Sequence, residues 1–308
     1  MNTQFNFKSI ASILFQGLGA MLAFAFSLIL ISLIFPLSPA IMEAKKTVTG
    51  FLPTPMDFLF NAAANALILI WAARRSSFKG LAMAGQLFVL SFGTQVFMTQ
   101  IETSYFISAF PLLQGNFQVF VIVLRGCLTS LLFSLLVTLM VGGFSKNSRY
   151  QRTAFTVTND NAVKQGAWLA AIYVALYMLF GYFVAWQVKE VRLFYGGPAE
   201  LNGLLEQWSA ALMQRPEILV FQYFRGILWI LCLVPLFLGF SGKRLELVIL
   251  SGLALALLPT TQLAFANALM PASVSLGHFW EVSISTGIFG ALCAWFIPVH
   301  SDSSKLPQ

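Results

Sequence analysis

Eight apolar runs of between 16 and 26 residues account for most of this chain, and no compact water-soluble fold can bury that much uninterrupted hydrocarbon. They cover residues 10–35, 58–73, 80–101, 117–142, 167–188, 218–240, 245–270 and 274–297, the second being the shortest. A helix rises 1.5 Å per residue, so about 20 residues cross a hydrocarbon core of about 30 Å. Composition agrees, since 58% of residues are hydrophobic and 9% charged, where a soluble surface requires about 25% charged residues. The expected fold is all-α: a polytopic integral membrane protein with about eight transmembrane helices in one domain over 1–308. The longest stretches outside the spans, 36–57, 145–166 and 189–217, leave no room for a soluble domain.

Short loops that stay cytoplasmic carry the excess of Lys and Arg. Lys8, Arg74, Arg75, Lys79, Lys146, Arg149, Arg152, Lys164, Lys243, Arg244 and Lys305 fall on the side of the N-terminus, against Asp160, Glu246 and Asp302. The other side holds Lys45, Lys46, Lys189, Arg192 and Arg215 against Glu43, Asp57, Glu190, Glu200, Glu206 and Glu217. Eight spans then place both termini inside, with a bacterial cytoplasmic membrane as the expected setting. The formal charge of +7 reads as positive loops at an inner leaflet, not as a nucleic-acid surface. The first run is about twice as long as the apolar core of a signal peptide, so it is expected to stay attached. Cys127, Cys232 and Cys293 all lie inside spans, at spacings that suggest neither a redox pair nor a metal knuckle.

Leu201, Leu204, Leu205, Trp208 and Leu212 recur at helical spacing, which predicts an interfacial helix over 201–214. It would serve as a lid, or simply as a loop anchored by Trp208. Two similar stretches, 108–114 before Arg125-Gly126 and 209–214 before Arg225-Gly226, suggest a parallel repeat of helical hairpins. Both hairpins would end in similar words, 143–146 and 239–243.

Charges inside the spans are the functional signal. Glu102, Arg125, Arg225, His278 and Glu281 lie in otherwise lipid-grade sequence, where one ion costs about 2.5–3.5 kcal/mol at a helix centre. Counted by depth, the intramembrane polar groups gather in the outer half. Asn61 and Asn65 sit one and two turns into span two, Arg125 two turns into span four, and Gln222 with Arg225 early in span six. Ser91, Gln95, Thr99 and Glu102 form one stripe up the end of span three, while Thr260, Thr261, Gln262 and Asn267 follow Pro259 in span seven. Pro259 is expected to kink that span, because it lacks an N–H and clashes with the carbonyl of Leu255. Groups of this kind cannot face lipid, so they are expected to surround one outer-facing cavity.

Arg125, Arg225, Gln222, Asn61, Asn65, Gln95 and Asn267 are the candidate ligand-binding residues, and Glu102, His278 and Glu281 the candidate catalytic ones. The competing reading is two buried ion pairs, since two arginines and two carboxylates sum to zero charge. His278-Phe279-Trp280-Glu281 supplies one histidine and one carboxylate where zinc wants three or four ligands, and no H-E-x-x-H or G-x-S-x-G pattern occurs. No metal and no cofactor is expected, and phosphate-loop and dinucleotide patterns are absent.

Three functions compete. The cavity binds an anionic amphiphile such as a lipid head group or lipid-linked precursor, held by the forked donors of the arginines. Alternatively it is an enzyme acting on a lipid-linked substrate, with Glu281 or Glu102 as general base and His278 as acid or orienting partner. Transport, or a structural role beside other membrane subunits, is the third, and the apolar inner halves of the spans weigh against a transport path.

Overall fold

The computed structural model describes residues 7–114, 117–145, 155–157, 159–297 and 299–301. Lys146, Arg149, Arg152, Asp302 and Lys305, which count toward the charge asymmetry, lie outside the described residues. Among those described, eight helices are long and apolar enough to cross a membrane. In chain order the helices are α1 (Phe7–Ile34), α2 (Pro39–Lys45), α3 (Met56–Arg74), α4 (Gly80–Phe92), α5 (Met98–Tyr105), α6 (Gln118–Met140), α7 (Asn159–Phe183), α8 (Lys189–Phe194), α9 (Leu204–Gln214), α10 (Pro216–Gly239), α11 (Arg244–Leu257) and α12 (Ala272–Phe296). A π turn over Gly93–Phe97 joins α4 to α5 into one crossing. A three-residue antiparallel ladder pairs β1 (Phe155–Val157) with β2 (Val299–Ser301).

The eight crossings close into a ring: α1 packs on α6, α6 on α4, α4 on α10, α10 on α7, α7 on α12, α12 on α11, α11 on α3, and α3 back on α1. Lipid tails are as apolar as leucine, so close approach of backbones, not hydrophobic force, holds such helices together. The α11–α12 hairpin shows this most directly. A Cβ added at Gly290 would lie 2.4 Å from the carbonyl oxygen of Ser251, so only glycine admits this crossing. Large side chains point outward instead, Phe15, Leu22 and Leu33 of α1 among them. Within the ring Ile68, Leu69, Leu87, Leu90, Phe133, Trp229 and Phe237 are fully buried.

Span seven departs from its expected course. The sequence reads it as a kinked helix to residue 270, whereas α11 stops at Leu257 and the chain runs as turns and a short 3-10 segment, Thr261–Ala264, to Pro271. Pro259 is the reason, and the freed carbonyl of Leu255 is met from α12, where the Thr286 hydroxyl lies 2.6 Å away. Irregular backbone at membrane depth survives only where it is buried in protein or lines a cavity. Span five also starts earlier than its apolar run, because α7 begins at Asn159, inside the stretch read as a loop.

One end of the ring is capped. Ile41 of α2, Phe110 and Leu113 from the turns after α5, Phe194 of α8, and Leu269 and Met270 from the irregular segment pack into one apolar cluster. At the opposite end the turn after α3 pairs with the turn after α10, with Ser241 N donating to Arg75 O at 2.6 Å. There Arg244 donates to the carbonyls of Trp295 and Ile297, closing the C-terminus of α12.

Candidate functional site

Beneath the cap lies a cavity of about 460 Å³, within the range of ligand pockets. Phe24, Leu28 and Ile122 give it an apolar wall on α1 and α6, the helices that also bring Ser32 and Arg125 to the cavity. Of the residues singled out from the sequence, Asn61, Gln95, Glu102, Arg125, Arg225, Asn267 and His278 line this cavity, while Asn65, Gln222 and Glu281 stand behind the wall.

Arg225 and Glu102 form a forked pair: Nη1 donates to Oε1 at 2.8 Å and Nη2 to Oε2 at 2.9 Å. Arg225 lies on the third turn of α10 and Glu102 in the middle of α5, so the pair bridges two neighbouring crossings towards the capped end. Gln222, one turn earlier on the same face, accepts from Nη1 at 2.9 Å. The partners differ in access, since the Arg225 side chain is 5% exposed and that of Glu102 31%. Phe221 covers the guanidinium, its ring centroid 5.7 Å from Cζ.

Arg125 has no such partner. Its Nη2 donates to the Ser32 hydroxyl at 2.6 Å, and among the described residues no carboxylate lies within ion-pair distance of it. It sits seven residues into α6, about 10 Å along the helix at 1.5 Å per residue. The competing reading of two arginine–carboxylate pairs is therefore met for one arginine only. Glu281, the other carboxylate, faces His278 instead, with Oε2 3.3 Å from Nδ1. This i,i+3 pair leaves His278 Nε2 buried without a protein partner. Tyr195 meets the imidazole edge-on at 5.5 Å, and burial raises its phenol well above the ordinary value, so it remains a neutral hydroxyl.

The remaining amides mostly hold the walls. Gln262 donates from Nε2 to the backbone carbonyl of Gln95 at 3.0 Å, stitching the irregular segment after α11 to the π turn. Asn267 accepts from the Leu269 N–H at 2.9 Å and fixes the turn beneath the cap. Asn65 donates to the Asn61 side chain at 2.8 Å, an internal bond of α3.

Sequence reasoning missed Ser32, Lys45 and Tyr195 as lining residues. A single serine near the end of an apolar run carries no periodic signal, and Tyr195 reaches the cavity only because α8 folds under the cap. The helix expected over 201–214 exists as α9 and exposes Leu205, Leu212 and Met213, but it contributes no residue to the cavity wall, so the cap is built by α2, α8 and the two loop segments instead.

Chemically the wall offers Lys45, Arg125 and Arg225 against Glu102, with Glu281 one layer behind, which leaves an excess of positive charge beside an uncharged apolar surface. Among the described residues no three His, Cys, Asp or Glu side chains come together to hold a metal ion. No known protein family, curated protein or solved structure matches this chain.

Proposed function

We propose that this protein is a multi-pass component of a bacterial cytoplasmic membrane, with both termini inside, whose capped cavity faces the outer leaflet and binds an anionic amphiphile. A lipid head group or lipid-linked precursor has the required chemistry: a phosphate or carboxylate for the arginines and a hydrocarbon portion for the Phe24, Leu28 and Ile122 wall. The observation that carries this reading is Arg125, a guanidinium at membrane depth whose protein partner is one hydroxyl. An ion so placed costs about 2.5–3.5 kcal/mol, and a bound anion would offset much of that. Arg225 is already neutralised by Glu102 and serves as the rigid side of the site.

The test is the anionic lipid that co-purifies with the protein, quantified by mass spectrometry for wild type and for Arg125→Gln. A charge-assisted hydrogen bond contributes about 1.5–3 kcal/mol, so the anionic lipid held by this cavity should fall by roughly tenfold or more, lowering the co-purifying total by that share, while the protein stays folded. Undiminished lipid in the folded variant would sink the proposal. The enzymatic alternative rests on the His278–Glu281 couple at the same cavity, since Glu102 is engaged by Arg225. His278→Gln should leave the bound species unaltered if the protein only binds, and shift it to an unprocessed precursor if the couple performs acid–base chemistry.

A further inference from the structure

A second cavity, of about 580 Å³, lies at the opposite end of the ring, and it is lined by Arg74, Arg75 and Lys79 with Glu246 as the one carboxylate in its wall. We infer that it is an independent binding site for the phosphate head group of an anionic phospholipid from the leaflet bordering that end.

Glu246 is already engaged: its Oε1 accepts from Arg75 Nε at 2.6 Å and from the Trp71 indole at 2.8 Å. Arg74 meets only a neutral group, its Nε donating to Gln16 Oε1 at 2.9 Å. With Arg75 and Glu246 cancelling, Arg74 stands in the wall as a cation whose hydrogen-bond partner is neutral. The Ser77 hydroxyl, also in the wall, is buried with no hydrogen-bond partner in the protein, an uncommon condition for a buried polar group.

The shape of the wall selects a lipid over a free phosphate. Leu67, Ile70 and Trp71 continue it from Arg74 toward the middle of α3, about 10 Å at 1.5 Å per residue. Leu67 is itself exposed on the side of the bundle, so the cavity reaches the surface that acyl chains contact. Basic pockets between transmembrane helices suit phosphate head groups in this way, each cation adding about 1 kcal/mol.

The experiment is native mass spectrometry of the full chain in detergent, titrated with phosphatidylglycerol, phosphatidylcholine or inorganic phosphate. Wild type is expected to retain phosphatidylglycerol adducts, and neither of the other two probes should displace them. Arg74→Gln should weaken retention about fivefold, Arg74→Lys should restore most of it, and Glu246→Gln should strengthen it by a similar factor. That gain cannot arise from misfolding. Arg125→Gln, which alters only the first cavity, should leave a population of adducts still sensitive to Arg74. Equal retention of phosphatidylcholine, displacement by inorganic phosphate, or indifference to both Arg74→Gln and Glu246→Gln would overturn the inference.

Discussion

Replacing Glu102 should destabilise this protein more than replacing Arg225, even though the two share one ion pair. Removing one partner of a buried pair leaves an uncompensated charge at about 3–5 kcal/mol, but the charge left behind differs between the two cases. After Glu102→Leu, Arg225 remains with a side chain only 5% exposed and with Gln222 as its one remaining hydrogen-bond acceptor, so the cost should sit near the top of that range. After Arg225→Met, Glu102 is 31% exposed to the cavity and can draw water, so its cost should sit near the bottom. The double variant removes both charges and both desolvation costs, and should return to within about 1–2 kcal/mol of wild type. The assay is thermal unfolding in detergent for the two single variants and the double, combined as a double-mutant cycle. Additive losses, or a larger loss for Arg225→Met, would refute the reasoning that the pair is one electrostatic unit with unequal access to water.

Other outcomes test other parts of the structure. Gly290→Val should separate α11 from α12, because even a Cβ would lie 2.4 Å from the Ser251 carbonyl, and overpacking of this kind costs about 1–3 kcal/mol; a variant as stable as wild type would show that the crossing is looser than described. For orientation, cysteines placed at 148 and 303 should react with an impermeant maleimide only from the cytoplasmic side and one at Gly197 only from outside. The reverse pattern would put the Arg125 cavity in the other leaflet.

Crossing number was legible in the sequence because a bilayer imposes length: an apolar run either reaches across or does not. Depth was legible for the same reason, and it placed Glu102, Arg125, Arg225 and His278 in one layer before any neighbour was known. Partner choice was not. That Glu102 meets Arg225 rather than Arg125 depends on α5 continuing the crossing that packs between α6 and α10, a matter of ring order that charge arithmetic cannot see. The π turn over Gly93–Phe97 was equally hidden. A single extra residue in the turn changes no composition, yet it alters the register between Ser91, which bonds to Ser130 and does not itself line the cavity, and Gln95, Thr99 and Glu102, which face it. The end of α11 at Leu257 could be half read: Pro259 announced a disturbance, but whether a helix bends or stops depends on who takes the freed carbonyl, and Thr286 is 31 residues away in sequence.

These irregularities also bear on the choice between a ligand cavity and a plain ion pair. Holding α5 against α10 needs only Arg225, Glu102 and Gln222, all of which stand on unbroken helix. It gives no reason for α11 to end inside the bundle, for α4 to pass into a π turn, or for Arg125 to stand opposite with a serine as its partner. Each of these raises the cost of placing the chain in hydrocarbon, where backbone and charge must be satisfied internally. Yet the first two meet, through Gln262 donating to the Gln95 carbonyl, and both line the same cavity as Arg125. Two departures from regular helix and one unpaired cation converging on a single space is what a site maintained for a bound anion would require, and an ion pair alone would not.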